Sequence, residues 1–145
     1  MKTLLKISLA VMITSSALQA APKWINSPQK NCTLNGGEIS TNGVCKANWK
    51  DATAICASLE AKLPTIEQLV DVEVNCGASL HDNEDNQAYQ SCYKKKGFSS
   101  WSYYWSSSPY AADSNLVLRV YFKDGDVYAH SKELSGYFRC VRSGQ

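Results

Sequence analysis

The chain has 145 residues, 15 of them Lys or Arg and 13 Asp or Glu, for a formal net charge of +2. That length is the size of one domain, and so small a charge excess excludes a nucleic-acid-binding protein, which would carry a strong basic surplus. The surplus belongs to the first 20 residues: without Lys2 and Lys6 the basic and acidic residues are equal in number.

Residues 1–20 read as a secretory signal peptide: two early lysines, an apolar run from Ile7 to Ile13, then small and polar residues up to Leu18-Gln19-Ala20. The run is too short to cross a bilayer, and no later stretch approaches the ~20 apolar residues that crossing needs, so no membrane span is expected. All six cysteines, Cys32, Cys45, Cys56, Cys76, Cys92 and Cys140, follow the leader. An even set in an exported chain reads as three disulfides, with fifteen connectivities open from spacing alone. Zinc is disfavoured, because no Cys-x-x-Cys occurs and His81 and His130 are the only histidines. No metal and no cofactor is expected.

Residues 21–31 read as an N-terminal arm with Trp24 as its anchor, and residues 32–145 as the domain proper. Gly36-Gly37 and Asn42-Gly43 are turn signals that predict short strands around Leu34 and Val44. Asn48 is a good N-cap, and Ala52, Ile55, Cys56 and Leu59 at i, i+3, i+4 and i+7 predict a helix with Cys56 on its apolar stripe. Leu63-Pro64 is expected to stop it. Thr65 to Gln68 is a capping box, and Ile66, Leu69 and Val70 give a second helix its buried face.

Asn75 to Phe98 is polar and reads as a long surface excursion. At its centre His81-Asp82-Asn83-Glu84-Asp85-Asn86 has the oxygen-rich chemistry that calcium prefers, but the EF-hand spacing is missing, so the expectation is a solvated acidic loop. Lys94-Lys95-Lys96 follows, a basic triplet beside aromatic residues that suits an anionic glycan. Ser99 to Tyr110 is almost wholly serine and aromatic, the composition of binding paratopes, and Trp101, Tyr103 and Tyr110 are the candidate exposed rings. Leu116 to Phe122 alternates around Arg119, a turn at Lys123 to Asp126 follows, and Val127 to His130 and Tyr137 to Arg142 complete a β-meander. Arg119, Arg139 and Arg142 are expected on its solvent face.

Four ordered motifs, Trp49-Lys-Asp-Ala52 through Cys56, Leu63-Pro-Thr65 through Leu69, Tyr104-Trp-Ser-Ser-Ser108 and Phe138-Arg-Cys-Val-Arg142, together resemble the Lcl C-terminal-domain family. That family is named after a collagen-like adhesin of Legionella and is related in fold to C-type lectins and the formylglycine-generating enzyme. The resemblance implies an α+β, C-type-lectin-like fold, with two helices packed on a small antiparallel sheet, long loops and disulfide staples. It also makes Trp105 a core residue. Together with loop length it favours the pairs Cys32–Cys45, Cys56–Cys140 and Cys76–Cys92. The Glu-Pro-Asn or Gln-Pro-Asp motif with which sugar-binding C-type lectins hold calcium is missing.

No Gly-x-Ser-x-Gly, His-Glu-x-x-His or paired catalytic carboxylates occur, and shared fold does not carry activity, so no enzyme is expected. The expected function is an exported, secreted or periplasmic, adhesin-type recognition module for surface glycans. The alternative is an accessory or structural subunit of a pilus or secretion apparatus that binds a protein of the envelope or cell surface.

Overall fold

The computed structural model describes residues 21–143, so the proposed leader lies outside the described residues. Along the chain run β1 (Lys23–Ile25), α1 (Gln29–Leu34), β2 (Glu38–Ile39), β3 (Cys45–Ala47), α2 (Trp49–Ser58), α3 (Ile66–Asn75), α4 (Gln87–Lys95), β4 (Tyr104–Pro109), β5 (Leu116–Tyr121), β6 (Asp126–Ser131), β7 (Gly136–Tyr137) and β8 (Cys140–Arg142). The protein is thus α+β. Six strands form one sheet in the order β2-β3-β7-β4-β5-β6, while β1 and β8 pair antiparallel as a separate ribbon, with Trp24 opposite Val141.

Helix α2 starts as its sequence dictates, with the Asn48 side chain accepting from the Asp51 N–H. It does not run to the proline. It ends at Ser58 in a Schellman-type turn: Glu60 takes the left-handed conformation at φ 53°, and the Ala61 N–H returns to the Cys56 carbonyl. Helix α3 opens on the complete Thr65–Gln68 capping box.

Two expectations fail on helices that the sequence hides. Leu34 is helical, not a strand residue, and is largely exposed at the end of α1. The polar segment 75–98 is no loose excursion, because its second half is α4, whose Tyr89 and Tyr93 are completely buried. The loop before it is also anchored: Asn83 is buried, accepts from the Ser79 N–H and donates to the Ser79 and Asp124 carbonyls. Among the described residues there are therefore four helices where two are read from the sequence.

Neighbouring residues on a strand point to opposite faces, and both faces of β4 and β5 are covered. Tyr104, Val120 and Phe122 join Leu69, Val72, Tyr89, Tyr93 and Phe98 of the α3–α4 side. Trp105 and Val117 join Ile55, Cys56, Phe138 and Cys140 of the α2 side. That double cover corrects the placement of Arg119, which is 2% exposed; Arg139, between β7 and β8, is 9% exposed against Trp24 and Phe98, whereas Arg142 does face solvent. Cys32–Cys45, Cys56–Cys140 and Cys76–Cys92 are bonded. The second ties α2 to β8. Three disulfides are the chemistry of an oxidising compartment. Among the described residues no helix is long and apolar enough to cross a membrane.

Candidate functional site

The concave feature that best matches a binding site is a groove of about 590 Å³ between β1, α3 and the end of α4. Its polar wall is a helical stripe. Gln68, Asp71, Val72 and Asn75 stand at i, i+3, i+4 and i+7 of α3, so one face of the helix presents an amide, a carboxylate and a second amide in a row. The Gln68 side-chain oxygen is occupied by the capping box, which leaves its amide N–H groups for a ligand. Opposite, Trp24 of β1 stands edge-on to Phe98 at 5.1 Å and supplies the aromatic surface. Lys96 closes the end.

Lys96 is placed by the turn that ends α4. Gly97 adopts φ +93°, which favours glycine, and a Cβ there would meet Arg139 Nη1 at 3.1 Å. Arg139 Nη1 donates to the Lys96 carbonyl at 2.8 Å, and its guanidinium carbon lies 4.8 Å from the Phe98 ring and 5.6 Å from Trp24. Burial pulls the Arg139 pKa below its usual value. A volume of this size, an aromatic wall, two amides and one charge of each sign can hold a ligand rich in hydroxyl groups.

The six residues singled out from the sequence do not form one site. Lys94 and Lys95 occupy the last turn of α4, where cations suit the helix's negative end, and both are exposed. Of the triplet, only Lys96 lines the groove. Trp101 is 80% exposed and Tyr110 is 40% exposed at the far end of β4, about 20 Å of strand away from Tyr103. Tyr103 is not a free ring. It stacks on Tyr121 at 4.9 Å and meets Tyr128 and His130 edge-on at 5.4 and 4.7 Å. Trp24, Gln68, Asp71 and Asn75 were missed; the i, i+3, i+7 polar spacing of the last three was the available signal.

Under Tyr103 lies Arg119, with its guanidinium carbon 4.1 Å from the Trp105 ring and 4.8 Å from the Tyr103 ring. Burial brings its pKa down to about 10, and burial followed by the Arg119 charge lowers that of His130. Gly136 makes this packing possible, since a Cβ there would sit 2.6 Å from Arg119 Nη2.

On the α3–α4 side, a second cavity of about 410 Å³ is lined by residues 80–85 with Asp124 and Asp126. Nearby, burial and then the charges of Asp124 and Asp126 push Glu73 up to about 8, and its Oε1 has no partner among the described residues. The hydrogen bond to Asp124 Oδ2, at 2.6 Å, raises the Tyr128 pKa above the usual range, with burial second. Among the described residues no three His, Cys, Asp or Glu side chains are arranged to hold a metal ion.

Residues 18–142 match the family model of the Lcl C-terminal domain. No curated protein and no solved structure matches the chain.

Proposed function

The chain belongs to the Lcl C-terminal domain family, and from that premise we propose that it is an exported recognition module, secreted or periplasmic, that binds an anionic surface glycan in the groove beside β1. The observation that carries this reading is the groove's wall, with the amides of Gln68 and Asn75, the carboxylate of Asp71, the ring of Trp24 and the ammonium of Lys96 around one volume. Amides and carboxylates hydrogen-bond sugar hydroxyls, an aromatic ring covers a sugar's apolar face, and Lys96 answers a sulfate or carboxylate substituent. Lys94 and Lys95, the two residues before Lys96 on the same helix end, extend the positive field without lining the groove.

The finer fold assignment belongs to the same reading. A C-type-lectin-like arrangement is supported by the antiparallel pairing of the first and last strands and by the bond from α2 to the last strand. No catalytic role is proposed.

A glycan array probed with the protein lacking its leader tests the reading. Selective binding to sulfated or uronic-acid glycans is expected, with loss when Lys94, Lys95 and Lys96 are all changed to Gln. An array without signal, alongside capture of a single envelope protein by the same preparation, would instead support the pilus- or secretion-subunit alternative.

A further inference from the structure

The side chains that line the groove beside β1 carry one charge of each sign, Asp71 and Lys96, so they sum to zero and give an anion no net attraction. A second cation is close at hand. Ala21 and Pro22 also line the groove, and Ala21 is exposed. Residues 1–20 read as a leader whose small-residue end falls at Ala20, so its removal makes Ala21 the first residue. A signal peptidase of the export machinery would hydrolyse the Ala20–Ala21 peptide bond: water gives its hydroxyl to the Ala20 carbonyl carbon and a proton to the Ala21 nitrogen. The new carboxyl group then loses a proton and the new amine gains one. An α-amino group ordinarily keeps that proton up to about pH 7.7–8.0, so it is mostly an ammonium at neutral pH. In the uncleaved chain the same atom is a neutral peptide nitrogen.

The place of that ammonium is constrained from both sides. Strand β1 is locked to β8, with Lys23 opposite Arg142 and Trp24 opposite Val141. Pro22 fixes its own φ and holds the residue before it in extended conformations. Alanine has no side chain beyond Cβ, so its nitrogen lies within about 3 Å of whichever of its atoms faces the groove. We propose that the groove is completed by processing: the Ala21 α-ammonium is its second cation, and with Lys96 it meets the sulfate or carboxylate groups of a glycan that Asp71 repels. Resting on the glycan reading of this groove, that assignment makes binding a property of the exported chain, because a chain that keeps its leader lacks the charge.

The test uses the exported protein, whose mass should be that of a chain starting at Ala21; a start elsewhere overturns the proposal at once. Near pH 6 the α-amine reacts ahead of lysines, which ordinarily keep their protons to about pH 10.4. Acetylation there removes its charge, whereas reductive dimethylation with formaldehyde and cyanoborohydride keeps the charge and adds similar bulk. The untreated, acetylated and dimethylated chains are each titrated with a sulfated disaccharide at fixed ionic strength. Acetylation should weaken binding roughly threefold, and dimethylation should leave it unchanged. Binding by the untreated chain that acetylation does not weaken, or an equal loss on dimethylation, overturns the ammonium's role and leaves the groove reading standing. No binding by the untreated chain overturns the groove reading and the ammonium's role together.

Discussion

Glu73 is a carboxyl group that its surroundings keep protonated near neutral pH. Its folded pKa of about 8 stands above the ordinary 4.5, through burial and the facing Asp124 and Asp126, with Tyr89 packed nearby. Below the ordinary pKa both folded and unfolded chains carry the proton, and the contribution to stability is constant. Between there and about 8 the unfolded chain ionises while the folded one does not, so stability falls as pH rises. Denaturant titration should find the protein less stable near the upper end of that window than at its lower end. Glu73→Gln should flatten the profile and stabilise the domain most on the alkaline side, and an unchanged slope would refute the assignment. Asn83 makes the complementary case. Four hydrogen bonds hold its buried amide, so Asn83→Ala should cost about 2–3 kcal/mol, far more than change in a solvated loop. Nothing in a run of six polar residues says which one turns inward. That choice is made by the Asp124 carbonyl, 41 residues further on.

At the scale of elements, helices were legible where the sequence carried both a cap and a stripe. Helices α2 and α3 have Asn48 and Thr65 at their starts and apolar residues at helical spacing behind them. Helix α4 has Asn86 as its cap, but Tyr89 and Tyr93 are the large apolar side chains it buries, spaced one turn apart in an otherwise polar run. The signal was thin because the α3–α4 side of the sheet needs only those two rings from it. Tyr89 donates to the Phe122 carbonyl at 2.8 Å, and Tyr93 packs 5.4 Å from the Phe122 ring. Tyr89→Phe should therefore cost about 1 kcal/mol and Tyr93→Ala about 3–5 kcal/mol, read by thermal or chemical denaturation. Equal, negligible effects would return this segment to a surface excursion. The β-meander was legible from alternation, but its solvent face was misjudged, because Trp105 and Tyr103 that cover Arg119 come from a different strand and the loop before it. Likewise the groove gathers β1, α3 and the end of α4, three segments with no common motif in the chain.

For the whole molecule, the long disulfide matters most. Cys56–Cys140 spans 84 residues and Cys32–Cys45 only 13. Loop-closure entropy gives about 4–5 kcal/mol for the first and about 3 kcal/mol for the second. Removing Cys56 and Cys140 together should unfold the domain or lower its Tm sharply. Removing Cys32 and Cys45 should leave a folded but weaker domain, and the opposite order would contradict the account. An anionic glycan in the groove beside β1 makes opposite demands on the groove's two charged side chains, Lys96 and Asp71. The most direct measurement is the salt concentration at which the protein leaves a sulfated polysaccharide matrix, compared for wild type, Lys96→Gln and Asp71→Asn. Loss of an attractive charge should release the protein earlier, and loss of a repulsive one later, each changing affinity roughly threefold. Elution of both variants with the wild type, or a shift of both in the same direction, would contradict glycan binding in this groove.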